Sequence, residues 1–189
     1  MKMSKIKPKI ERDLLKPYER VFTANQNPLN AKMIESPIGT LVAVTNEKNL
    51  LMLTSVDGKH LDAELKHLTK VYSKSIVEND EAEPLKLLET ELNAYFKGNL
   101  MAFKTTFEID KLGTEFQRLV WNEIYRIVYG TSSTYSELAQ RIGKPKSYRA
   151  VANACGRNPI SIVIPCHRVL ASNGLGGYSS GISMYFFAG

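Results

Sequence analysis

The chain has 189 residues, 43% of them hydrophobic and 23% charged, the composition of an ordinary globular protein able to bury a core. No apolar run approaches the ~20 residues that span a bilayer, so no membrane association is expected. The opening MKMSKIKPKIERDLLKPYER lacks the apolar stretch of a secretory signal. With only two cysteines, the expectation is a reducing compartment holding thiols rather than a disulfide framework: cytoplasm, or nucleus in a eukaryote.

Net charge is +6, and its distribution says more than its size. After Glu137 there is no Asp or Glu, while Arg141, Lys144, Lys146, Arg149, Arg157 and Arg168 all follow. A surface without carboxylates suits phosphate contact. A solvated basic face on an ordinary enzyme is the plainer alternative.

Residues 1–30 mix Lys, Pro and Asn and read as a basic, loosely ordered arm. A meander begins near Lys32. Ser36-Pro37-Ile38-Gly39 turns, Thr40 to Thr45 alternates as a strand, Asn46 to Asn49 turns again, and Leu50 to Ser55 returns. Two helices follow, on the stripes Leu61, Leu65, Leu68, Tyr72 and Leu85, Leu88, Leu92, Tyr95, Phe96, the second stopped by Gly98. No catalytic constellation is visible in residues 31–108, which read as scaffold.

A second unit spans 109–189. Thr114 is an N-cap for a helix on the stripe Phe116, Leu119, Val120, Ile124, Ile127 and Val128. Thr134 caps a short helix carrying Tyr135, Leu138, Ala139 and Ile142. After the break Gly143-Lys144-Pro145-Lys146, Ser147 caps a third helix to about Arg157. Two short helices about a Gly-containing turn suggest a helix-turn-helix, or a helical hairpin that binds nothing. The predicted fold class is α+β: a small antiparallel-sheet N-terminal domain with helices, then a mainly helical C-terminal domain.

An apolar strand is predicted over Ile160 to Ile164, ending at Pro165-Cys166-His167-Arg168. A thiol of pKa ~8.5 is only a few per cent thiolate at pH 7, and lowering it by about two units takes only ~2.7 kcal/mol. Cys166 beside His167 is thus either an activated nucleophile or an inert buried thiol. Zinc is disfavoured, because Cys155, Cys166 and His167 are too few ligands at unsuitable spacing.

Taken together, Thr114, Phe116-Gln117, Val120-Trp121, Thr134-Tyr135, Leu138-Ala139, Ile142-Gly143, Arg149-Ala150-Val151, Asn158-Pro159 and Ile164 to Val169, continued by Gly174, Gly177-Tyr178-Ser179 and Gly181, closely resemble the O6-alkylguanine-DNA alkyltransferases. The resemblance is dense over 113–181, and looser in the Ser-Pro-Ile-Gly meander. It implies a cofactor-free monomer acting on double-stranded DNA. The helix-turn-helix enters the minor groove, the damaged nucleotide is flipped out, and the alkyl group of O6-alkylguanine, with O4-alkylthymine a further candidate, passes irreversibly to Cys166.

The resemblance implies roles residue by residue. Arg149 fills the space left in the stack, and Tyr135 crowds the flipped nucleotide's phosphate. Ser147, Ala150 and Asn153 belong to the reading helix, where Tyr148 is much bulkier than the Ala usual there. His167 acts through water as base, and Asn158 ties the reading helix to the active-site strand. Tyr178 and the Ser179 N–H hydrogen-bond the guanine, and Val169 and Ser161 line the pocket.

One departure stands out. The family pattern continues into a helix bearing a Glu that orients the His, whereas here the chain reads Ser180 to Gly189 with no carboxylate other than the terminal group of Gly189. A misoriented His167 and slower transfer are expected, with a lesion-binding protein of impaired transfer as the alternative function. A Cys-His hydrolase unrelated to DNA is a more distant one.

Overall fold

The computed structural model describes residues 14–18 and 27–171. Strands β1 (Leu29–Ser36), β2 (Gly39–Thr45) and β3 (Leu50–Ser55) form the expected meander, and β4 (Ile76–Glu78) joins its edge in the order β3-β2-β1-β4. The first three pair antiparallel; β4 runs parallel to β1, so Leu29 faces Ile76. A three-residue strand carries too little pattern to be read from sequence. Helix α1 (Leu61–Tyr72) makes the crossover to β4, and α2 (Glu83–Phe96) packs on β1 and β2. Both expected stripes are buried: Leu61, Leu65 and Leu68 on α1, and Leu85, Leu88, Leu92 and Tyr95 on α2.

Within the stretch expected to be a loose arm, Lys16–Tyr18 form a 3-10 turn that buries Leu15 and Tyr18, and the Tyr18 hydroxyl bonds Asp62. Leu15 and Tyr18 have apolar surface to hide, which composition averaged over thirty residues conceals.

Helices α3 (Glu115–Tyr125), α4 (Tyr135–Arg141) and α5 (Tyr148–Cys155) form the second unit. Thr114 and Thr134 both make complete capping boxes, with Gln117 and Glu137 reaching back to the cap N–H. Ser147 sits at the start of α5, but its hydroxyl makes no cap bond, so the expected capping role fails. The helix is entered instead through backbone bonds from Ser147 to Lys144 and from Val151 to Ser147. The α3 stripe is narrower than expected. Val120, Trp121, Ile124 and Ile127 are buried, but Leu119 and Val128 are 41% and 66% exposed, Val128 lying past the end of α3 at Tyr125.

Trp121 locks α3 to α5, its indole Nε1–H donating to the Ala154 carbonyl at 2.8 Å. Gly113, at φ +59°, passes so close that a Cβ there meets the Trp121 ring at 2.5 Å. The two units also join through backbone. Leu53 N–H donates to Pro159 O at 2.9 Å and Ser161 N–H to Leu53 O at 2.8 Å, so Pro159–Ser161 extends the β3 edge.

Candidate active site

The predicted strand Ile160 to Ile164 is instead a tight loop. Ile160 bridges to Leu53, Ser161 bridges to Ile164, and Ile162 between them takes φ +73°. A β-branched residue in that region is strained by roughly 1–3 kcal/mol. Burial of Ile162 and the Ile164 N–H to Ile160 carbonyl bond at 3.0 Å hold it there. The uniformly apolar run hid a turn, since a fully buried loop has the same composition as a buried strand.

The loop delivers Cys166 into a 3-10 turn, Cys166–Arg168, followed by β6 (Val169–Leu170). Strand β6 pairs parallel with β5 (Ser133–Thr134), the two residues that lead into α4. The thiol-bearing turn is thereby registered against the start of the helix-turn-helix.

Asn158, buried at the end of α5, organises the loop. Its Nδ2 donates to the Ile164 carbonyl at 2.8 Å and to Cys166 Sγ at 3.1 Å, and its Oδ1 accepts the Ile160 N–H at 3.0 Å. A donor aimed at sulfur favours the anion over the thiol. Cys155 is different. It is buried, and burial first, then the negative charge of Cys166, push its thiol far above the ordinary range. At neutral pH Cys155 stays protonated.

Cys166 is 3% exposed, yet it reaches a cleft of 360 Å³ also lined by Cys155, Gly156, Asn158 and Ser161. The cleft is also lined by the unit read as scaffold: Thr54 and Ser55 at the end of β3, Gly58 and His60 after it, and Glu64 of α1. Burial raises the Glu64 carboxyl, partly offset by the Arg157 charge, and its Oε2 is buried without a hydrogen bond among the described residues. Beside this cleft a 720 Å³ groove runs along α5, lined among others by Tyr135, Ala150, Asn153 and Arg157. Cys155 and Gly156 line both spaces, so the groove and the Cys166 cleft share a wall.

His167 is as buried as Cys166. Its Nε2 lies 3.2 Å from the Tyr95 hydroxyl, while Nδ1 is buried with no hydrogen bond among the described residues. Burial first, then the Arg168 charge, pull its pKa down to about 3. No carboxylate among the described residues hydrogen-bonds it to counter those effects.

The other expected residues divide. Arg149 and Tyr148 are exposed at the start of α5, the guanidinium 5.8 Å from the Tyr148 ring centre. Ser147 is half-buried, and Ser161 lines the Cys166 cleft. Val169, expected on the pocket wall, is wholly buried in the β5–β6 pair and is not among the described residues lining the Cys166 cleft. Tyr178 and Ser179 lie outside the described residues. Among the described residues no group of three His, Cys, Asp or Glu side chains is placed to hold a metal, and no helix is long and apolar enough to cross a membrane.

Fold and site define a two-part α+β protein with a buried, amide-bonded thiol beside a helix-turn-helix groove. Residues 30–109 match the 6-O-methylguanine DNA methyltransferase ribonuclease-like domain, and 115–185 match the DNA-binding domain of the same methyltransferases. The methylated-DNA–protein-cysteine methyltransferase of Methanosarcina barkeri is 42% identical over 159 residues, covering 82% of this chain and 91% of its own. A probable one from Acanthamoeba polyphaga mimivirus is 46% identical over 114 residues, covering 60% and 76%. The structure of Mycobacterium tuberculosis OGT in complex with DNA superposes with a TM-score of 0.69 at 34% identity, covering 81% of this chain and 86% of that one. The chain belongs to the methylated-DNA–protein-cysteine methyltransferase family.

Proposed function

We propose that this protein reverses alkylation damage in double-stranded DNA by taking the alkyl group of O6-alkylguanine onto Cys166, once per molecule. Residues 109–189 carry DNA binding and the acceptor, and residues 31–108 brace them. The chain acts as a monomer, with the helix-turn-helix in the minor groove and the nucleotide turned out past Cys155 and Gly156.

The supporting observation is the Asn158 amide 3.1 Å from Cys166 Sγ, in a cleft whose wall is shared with the α5 groove. The thiol proton leaves to a base, with His167 in that role, and sulfur attacks the alkyl carbon. The bond to O6 breaks, and the purine takes up a proton to become guanine. Donors placed at the ring offset the charge that develops on it, the part expected of Tyr178 and Ser179. Arg149, with the exposed Lys144 and Lys146, supplies positive charge at the DNA face. The product is a thioether, neutral and a poor leaving group, so no second turnover follows and no cofactor is needed.

One observation favours a second reading, lesion binding with slow transfer. A neutral, buried His167 held at about 3 is a weak proton acceptor. Duplex carrying O6-methylguanine separates the two. A methyl group gained at Cys166 within minutes supports transfer. Saturable binding with unchanged protein mass supports the second reading. Neither binding nor mass change contradicts both.

A further inference from the structure

We infer that Thr54 and Ser161 form a paired wall of the Cys166 cleft that selects O6-alkylguanines whose alkyl group is longer than methyl and ends in a hydroxyl. This names a substrate class for the reaction proposed above and rests on that reading. Thr54 belongs to β3, in the unit read as scaffold, and Ser161 to the loop that presents the thiol.

Backbone pairing sets the two side by side. Leu53 N–H donates to the Pro159 carbonyl at 2.9 Å and Ser161 N–H to the Leu53 carbonyl at 2.8 Å, so Leu53 stands opposite Ile160 in a parallel bridge. One residue further on, Thr54 falls opposite Ser161. Successive side chains along extended backbone point to opposite faces. Leu53 and Ile160 are both fully buried in the core. Thr54 and Ser161 therefore turn the other way, where both are half-buried and line the cleft with Cys166.

Their hydroxyls are the ones a ligand can use. Neither side chain hydrogen-bonds another of the described residues, whereas the neighbouring Ser55 Oγ accepts the Asp57 N–H at 3.2 Å. The turn after β3 is fixed too. Gly58 N–H donates to the Ser55 carbonyl at 2.9 Å, and a Cβ on Gly58 would meet that same oxygen at 2.9 Å. A wall held in place beforehand loses little freedom when it binds.

Size and polarity then define the group. A space of about 15 Å³ already holds a water molecule, so a 360 Å³ cleft leaves room well beyond a methyl group. During transfer the first carbon lies against Sγ as its bond to O6 breaks, and the rest of a longer group has to occupy the cleft beside the sulfur. A hydrocarbon tail there displaces water from two hydroxyls and gives them nothing in return. A tail ending in a hydroxyl donates to one and accepts from the other. Charged side chains on the same lining carry both signs, Asp57 and Glu64 against Lys59, so an ionised tail meets no one-signed surface.

The test is single-turnover transfer from duplexes carrying O6-hydroxyethylguanine or O6-propylguanine, and O6-hydroxypropylguanine or O6-butylguanine, pairs that exchange a hydroxyl for a methyl at nearly constant size. The rate ratio within each pair is read, because a general loss of folding or activity in a variant cancels in it. Thr54→Val keeps the side-chain shape and removes the hydroxyl; Ser161→Ala removes its partner. Each is expected to lower the hydroxyl-to-hydrocarbon ratio about fivefold in at least one pair, the share of one hydrogen bond. Ratios equal to wild type in either variant overturn the paired wall. If wild-type protein moves methyl while the ratios stay put, the wall fails alone. If no group leaves any duplex, O6-methylguanine included, the proposed function fails and the wall with it.

Discussion

Asn158 holds Cys166 Sγ with one N–H and the Ile164 carbonyl with the other, so a single side chain fixes both the acceptor sulfur and the loop that presents it. Asn158→Asp keeps an acceptor for Ile160 but removes both donors and puts a negative charge beside sulfur. Cys166 is expected to react with iodoacetamide at pH 7 at least tenfold more slowly than in wild type, about 1.4 kcal/mol or more in barrier. Alkylation rates followed by peptide mapping check this. An unchanged rate means the contact does not favour the anion.

Acid should destabilise the protein through His167. An unfolded histidine titrates near 6.5, and folded His167 is held at about 3. Between those values the unfolded chain binds the extra proton. The stabilising contribution is complete above pH 6.5 and is lost as pH falls toward 3. By pH 5 the loss is about 2 kcal/mol. Denaturant unfolding at pH 7.5 and 5 is expected to show that loss in wild type and a markedly smaller one in His167→Gln.

Gly113 is fixed by the Trp121 ring as well as by its φ of +59°. Gly113→Ala is expected to cost about 3 kcal/mol, from a strained backbone and a clash with a buried indole. Thermal unfolding reads this directly. A change under about 0.5 kcal/mol means the indole moves aside freely.

Arg149 lies over the Tyr148 ring at 5.8 Å, and both are exposed at the start of α5. Arg149→Ala is expected to weaken lesion-duplex binding about tenfold while leaving iodoacetamide reactivity of Cys166 unchanged. Tyr148→Ala should weaken it about threefold, the share of an exposed cation–π brace of ~0.5–1 kcal/mol. Fluorescence anisotropy at fixed salt checks both.

The sequence reading located the meander and five helices because each rests on local chemistry: period-two and period-3.6 stripes, Gly breaks, and Thr caps whose partners lie three residues on. It misread Ile160 to Ile164 because a buried strand and a buried turn look alike in apolar residues. It missed Tyr95 and Glu64 because their importance comes from the Pro159–Ser161 docking on β3, a contact between segments a hundred residues apart. Tyr95 fills an ordinary position in an amphipathic stripe, and nothing nearby marks its hydroxyl as facing His167.

The central claim is that Cys166 takes an alkyl group from DNA and keeps it. Intact-mass measurement after incubation with excess O6-methylguanine duplex tests this most directly, with peptide mapping and Cys166→Ser as control. One methyl group per molecule is expected, located on Cys166, absent in Cys166→Ser, with no further gain on longer incubation. A wild-type mass that stays unchanged while the duplex is bound, or a methyl group found on Cys155 instead, contradicts it.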